Sequence, residues 1–146
     1  MIFMDVHDKR TRSFNMSRIK GKQTKPELIV RKYLFSNGFR YRINDTRLPG
    51  TPDIVLPKYR TVIFVNGCFW HGHEGCRDFV WPQNNADFWR SKILANVERD
   101  HKKESELKAL GWNVIVVWEC QLKPRLREDT LRYLITILEG VNGSNK

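Results

Sequence analysis

The sequence predicts an α/β single domain with a mixed central sheet flanked by helices. Three observations carry that expectation. The short apolar run Asp53-Ile54-Val55-Leu56 is followed, across Pro57-Lys58-Tyr59, by a β-branched run from Arg60 to Val65, which reads as a hairpin. Trp112 to Trp118 contains Val114-Ile115-Val116-Val117, apolar on both faces like a central strand. Between and around these runs lie stretches with helical spacing and recognisable caps. At 146 residues the chain is large enough to bury a core without help, and it shows neither an internal repeat nor a linker.

Taken in order, residues Thr11 to Lys20 suit a short basic helix ended by Gly21. Thr24-Lys25-Pro26-Glu27 opens a second helix with a capping-box signature and a proline in the first turn. Ile29 with Tyr33 and Val30 with Leu34 repeat at four-residue spacing, and Asn37-Gly38 closes the helix. Phe39 to Ile43 reads as a strand, and Asp45 to Pro52 is turn-rich around Pro49-Gly50. After the hairpin, Phe88 to Leu110 reads as a long helix with an inner stripe of Trp89, Ile93 and Val97, ended by Gly111. A last amphipathic helix spans Leu126 to Leu138. The organisation expected is a basic arm over residues 1–22, one folded domain over 23–139, and a disordered polar tail over 140–146.

Charge indicates a partner. Lys and Arg number 26 against 16 Asp and Glu, giving +10 and a pI near 9.8, a balance that suits a polyanion. A solubilising surface is the plainer reading, but the basic residues crowd into the first 32 positions, from Lys9 and Arg10 to Arg31 and Lys32. Five tryptophans add stacking surface for bases. No apolar run is long enough to span a membrane and the N-terminus lacks a secretory apolar region, so a cytoplasmic protein is expected.

The loop Asn66-Gly67-Cys68-Phe69-Trp70-His71-Gly72-His73-Glu74-Gly75-Cys76 concentrates metal-ligand residue types. Cys68, His73 and Cys76 stand in a C-x4-H-x2-C pattern, and with the distant Cys120 they make up a tetrahedral Cys3His set suited to structural zinc. A disulfide between Cys68 and Cys76, or three buried thiols, are the alternatives; neither accounts for His73. Asp53, after Pro52 at the mouth of a strand, reads either as a carboxylate for a divalent metal or as a turn cap. Glu27 is explained by the capping box. Asn96 and Asp100 share a helix face that would ordinarily be solvated. His71 is held beside the metal loop, free to take a proton from water. No serine or cysteine motif supports nucleophilic-triad chemistry.

Several runs together resemble one family. Asp5-Val6-His7-Asp8-Lys9, Leu48-Pro49-Gly50-Thr51-Pro52-Asp53, Val62-Ile63-Phe64, Gly67-Cys68-Phe69-Trp70-His71, Asn96-Val97-Glu98-Arg99-Asp100 and Leu110-Gly111-Trp112 through Val117-Trp118-Glu119-Cys120 are similar, in that order, to the very-short-patch-repair (Vsr) DNA mismatch endonucleases. The resemblance implies a restriction-endonuclease-like core and a magnesium-dependent nick in one strand beside a T:G mismatch left by deamination of 5-methylcytosine. It implies that Asp53 and the Val65 carbonyl bind magnesium, that His71 activates water, and that Glu27 and Asp100 support them. Phe69, Trp70 and Trp89 would wedge into the base stack, with Arg12, Met16 and Lys92 as further DNA contacts. Cys68, His73, Cys76 and Cys120 would hold zinc. A monomer on double-stranded DNA is implied, linked functionally to a cytosine-5 DNA methyltransferase.

Three features depart from wider patterns. Asn66 stands where the family has an active-site histidine, and the segment between His73 and Cys76 is one residue longer. The acidic-x-Lys triplet of general restriction nucleases is absent, Phe64-Val65-Asn66 standing in its place. Two other functions remain open: a restriction-type nuclease of the same fold that needs no mismatch, and a zinc-stapled DNA-binding module without catalysis.

Overall fold

The computed structural model describes residues 24–144. The basic arm, its helix from Thr11 to Lys20, and the contacts expected from Arg12 and Met16 lie outside the described residues. Within them the order is α1 (Lys25–Ser36), β1 (Arg42–Ile43), β2 (Ile54–Leu56), a 3-10 turn (Pro57–Tyr59), β3 (Thr61–Asn66), α2 (Ala86–Ala109), β4 (Asn113–Trp118), a second 3-10 turn (Glu119–Leu122) and α3 (Pro124–Ser144). The strands form one mixed sheet in the order β1-β2-β3-β4, antiparallel through β3 and parallel between β3 and β4.

The sheet is covered on both faces. On one, Val30 and Leu34 of α1 and Leu131, Leu134 and Leu138 of α3 pack against Ile54, Leu56, Ile63 and Val117. On the other, Leu107 of α2 meets Val55, Val62 and Phe64, with Trp112, Val114 and Val116 alongside. This is the expected α/β domain, and it is consistent with a restriction-endonuclease core. It also corrects the placement of β4. The strand is apolar on both faces because helices cover both, yet among the described residues β3 is its sole strand neighbour, so it lies at the edge. The interior strands β2 and β3 are the most buried.

Local chemistry sets the ends of the elements. Thr24 caps α1, its side chain accepting from the Glu27 backbone N–H at 3.4 Å, and Asn37 closes it. The strand expected from Phe39 shrinks to two residues, because Phe39 turns into the core and packs on Tyr59, ring centroids 5.3 Å apart. Arg60 takes the left-handed conformation (φ 49°) that lets β2 turn back as β3. Gly111, at φ 91°, ends α2 where a side chain would be strained. The last helix runs six residues beyond Leu138, to Ser144, so residues 140–144 are helical where a tail was expected. Gly140 alone is too mild a breaker to stop an established helix. Among the described residues no helix is long and apolar enough to cross a membrane.

Candidate active site and metal centre

The hairpin places the first carboxylate. Asp53 sits just before β2, and its Oδ2 accepts a 2.7 Å hydrogen bond from the Val65 backbone N–H on β3. No described residue donates to its other oxygen, which is left to meet an incoming group. Burial pushes the Asp53 carboxyl up to about 6, against the lowering effect of the Val65 hydrogen bond and of Lys103 and His71 nearby.

His71 follows β3 in the loop, and its Nδ1 lies 2.7 Å from Asp100 Oδ2, on α2. If Nδ1–H is donated to that carboxylate, Nε2 is the nitrogen free to accept a proton. Lys103, one turn further along α2, holds the other Asp100 oxygen at 3.1 Å. Burial would raise the Asp100 carboxyl, but the His71 hydrogen bond and the charges of His71 and Lys103 hold it below its ordinary value. Asp53, Asn66, His71 and Lys103 line one cavity of about 190 Å³, closed on another side by Gly50 and Thr51. Asp100 and Asn96 therefore do not form a solvated face: Asp100 is buried, and Asn96 Nδ2 donates to the Trp70 carbonyl at 2.9 Å.

Glu27 departs from its capping role. Its side chain does not reach back to Thr24; it is buried, 2% exposed, and meets Arg31 Nη1 at 3.3 Å. Burial, and then the charge of Asp53, push its carboxyl up to about 7 in spite of Arg31. Three carboxylates thus converge on one end of the sheet.

The four metal-ligand residues come together as spacing suggested. The ligand atoms of Cys68, His73, Cys76 and Cys120 all lie within 4.8 Å of one another, and no disulfide joins the cysteines. The remoteness of Cys120 has a simple cause: Asn66 on β3 pairs in parallel register with Trp118 on β4, so Cys68 and Cys120 each emerge two residues beyond the same rung. The loop is folded by backbone bonds from His73 N–H to the Cys68 carbonyl (3.0 Å) and from Cys76 N–H to the His73 carbonyl (3.3 Å). Burial pushes the Cys68 thiol up to about 12, so its thiolate needs a compensating cation. Three thiolates and an imidazole at this spacing can hold a metal ion, and soft donors in a closed set of four fit zinc well.

Beside the cavity stands an aromatic ledge. Phe69, Trp70 and Trp89 meet one another at centroid distances of 5.3 to 5.6 Å, and Trp70 is 49% exposed. Phe79 and Trp81 extend the ledge, with the Arg90 guanidinium 4.7 Å above Trp81. Lys92 is exposed on α2, the helix that carries Trp89. Sequence reasoning missed Lys103 and Arg31 as parts of the site, although Asp100-x-x-Lys103 and Glu27-x-x-x-Arg31 stand at helical pair spacing, a signal shared with ordinary solvated helix faces. The Asn96 contact with the distant Trp70 carbonyl leaves no trace in spacing.

A carboxylate on a hairpin and the histidine of a His–Asp pair sharing one cavity suit metal-assisted hydrolysis, and the excess of basic residues suits a polyanionic substrate, which together describe a nuclease. The profile of the family described as DNA mismatch endonuclease Vsr matches residues 4–77. The chain is 56% identical over 139 residues to the type II nicking enzyme V.NmeAIP of Neisseria meningitidis, covering 94% of this chain and 99% of that protein. It is 51% identical over 111 residues to the type II nicking enzyme V.XorIIP of Xanthomonas oryzae pv. oryzae, 76% of this chain and 81% of the relative. It is 48% identical over 121 residues to the DNA mismatch endonuclease Vsr of Escherichia coli, 83% of this chain and 77% of that protein. The chain belongs to the Vsr family of DNA mismatch endonucleases.

Proposed function

We propose that this endonuclease nicks one DNA strand beside a T:G mismatch produced by deamination of 5-methylcytosine, with magnesium as cofactor and zinc in the Cys3His set. The observation that carries this reading is the shared cavity: Asp53 and His71, the latter bonded to Asp100 behind it, line one space beside an exposed aromatic ledge.

Asp53, with the Val65 carbonyl, supplies hard oxygen donors suited to magnesium. When bound, that ion would polarise the phosphate and stabilise the leaving oxygen. His71 takes the proton of the attacking water at Nε2, and Asp100 orients the ring and stabilises its positive charge. Phe69 and Trp70 wedge into the stack, where a mismatched pair opens more cheaply than a matched one. Lys92 and the basic arm hold the phosphates. The protein works as a monomer in the cytoplasm, downstream of a cytosine-5 DNA methyltransferase, whose product is the source of the lesion.

The test is a labelled duplex with and without a single T:G pair, incubated with purified protein and magnesium. Nicking confined to the T:G duplex supports the reading. Equal cutting of the matched duplex would instead identify a restriction-type nuclease, and binding without cutting a non-catalytic module.

A further inference from the structure

Among the described residues, the cavity that holds Asp53 is lined by a single lysine and by no arginine. That residue, Lys103, reaches it from α2, and three neighbours fix its position. Its ammonium lies 3.1 Å from Asp100 Oδ1 and 4.3 Å from the centroid of the Phe64 ring. Its stem runs under the Pro49-Gly50 turn. A Cβ added at Gly50 would fall 2.4 Å from Lys103 Cδ and 2.7 Å from its Cβ, so the turn closes on the lysine only because position 50 has no side chain. The neighbouring Lys102 is exposed, as surface lysines usually are, whereas the Lys103 side chain is 19% exposed.

A neutral His71 donates a hydrogen bond to Asp100 without balancing its charge, so Lys103 serves that carboxylate while also lining the Asp53 cavity. A second need lies in the cavity. Asp53 lines it and Asp100 stands behind His71 at its edge, and a phosphodiester adds another negative charge that grows on its non-bridging oxygens during hydrolysis. The strand β3 offers no cation of its own, its triplet being Phe64-Val65-Asn66. We propose that Lys103 is a catalytic residue, its ammonium contacting a non-bridging oxygen of the scissile phosphate and stabilising the charge that builds on it. The lysine thus comes from α2 rather than from β3, with Gly50 and Phe64 fixing its direction.

This inference rests on the reading that cleavage occurs at the Asp53 cavity, and the experiment separates the two. Lys103→Met, Lys103→Gln and Asp53→Asn are compared with the native protein in single-turnover nicking of the duplex that the native protein cuts, with melting temperature as the folding control. The Lys103 variants should be slowed about a hundredfold or more, the scale for losing one donor to a developing oxyanion. Affinity is then measured without magnesium for that duplex and for one with a neutral methylphosphonate at the scissile position. The native protein should bind the neutral duplex several-fold more weakly, and a folded Lys103 variant should bind both alike. A folded Lys103 variant that nicks within twofold of the native rate, or keeps the native preference for the charged phosphate, overturns the proposal. Native-rate nicking by Asp53→Asn would overturn the placement of cleavage at this cavity and the proposal with it. An inactive Asp53→Asn beside a fully active Lys103 variant would overturn the role of Lys103 alone.

Discussion

His73 lies face to face on Trp118, ring centroids 4.0 Å apart and planes 3° from parallel. Trp118 ends β4, and stacking on it holds the His73 Nδ1 3.5 Å from the Cys120 sulfur. The indole thereby orients a ligand without being one, a role that contributes to affinity rather than to donor count.

Cys120→Ser should release the bound metal and lower the melting temperature by about 10 °C or more, because a structural metal contributes directly to folding. Trp118→Ala should keep the metal but bind it about tenfold more weakly. Metal content by elemental analysis, read beside calorimetry, checks both. Unchanged stoichiometry and melting in Cys120→Ser would remove Cys120 from the ligand set.

Asp53→Asn should reduce magnesium-dependent nicking by at least about a hundredfold while leaving duplex affinity nearly native. The substitution removes a charged donor at the cavity without touching the basic surface that binds phosphates. Nicking rates at saturating magnesium, together with a binding isotherm in its absence, decide the matter. Substantial residual cleavage would count against Asp53 as the principal metal ligand.

Glu27 gives a pH dependence with a definite sign. Its folded-state value, about 7, is raised above the ordinary 4.5, chiefly by burial. The folded protein therefore binds this proton more tightly than the unfolded chain. The stability it contributes is fully present below about pH 4.5 and is lost as pH rises through about 7. Between pH 5.5 and 8, Glu27→Gln should remove about 2 kcal/mol of that decline. Urea midpoints of the two proteins, measured in parallel without magnesium, test this, since their difference cancels the acid sensitivity of the Cys3His set. Parallel curves would show that Glu27 does not titrate in this range.

What the sequence made legible and what it hid have different physical origins. The metal set was readable because three of its ligands share one short loop, and the fourth follows a strong apolar strand whose end is easy to see. The hairpin was readable from β-branched residues and Pro57. The edge position of β4 was not, because helix cover and strand neighbours bury a valine equally well. Glu27 satisfied a local capping pattern, but its side chain pairs instead with Arg31 one turn along the same helix and lies buried near Asp53, a placement that the fold decides. Lys103 left no distinctive signal: what defines it is contact with Gly50 and Phe64, and charge spacing along α2 resembles any solvated helix.

Replacing Phe69 and Trp70 by alanine should weaken the preference for mismatched over matched duplex more than it weakens salt-dependent nonspecific binding. Stacking and phosphate contacts are separate contributions, and each lost stacking contact is worth about 1–3 kcal/mol. Trp70 is half exposed, so its loss should not unfold the protein, whereas Phe69 also packs on Trp89 and Phe79. Competition between the two duplexes at several salt concentrations measures the difference. An unchanged mismatch preference would make these aromatics packing residues only.

Asn66 offers the sharpest test of how this chain differs from its family pattern. The residue ends β3, is 4% exposed, and lines both the Asp53 cavity and a second cavity that reaches His73 and Trp118. Asparagine there donates and accepts hydrogen bonds but stays neutral, whereas histidine can carry charge or pass a proton. A full acid-base role is worth about a hundredfold or more in rate. If His71 is the essential base, His71→Ala should remove nearly all activity, while Asn66→His should raise the single-turnover rate. The rise should be about tenfold or less, because Lys103 already places one positive charge in the cavity and a second adds less. Single-turnover nicking of a T:G duplex by native protein and by Asn66→His, with melting temperature as the control for folding, gives the comparison. A rate that stays the same or falls in the folded variant would show that asparagine is fully adapted to this cavity and that the departure carries no catalytic deficit.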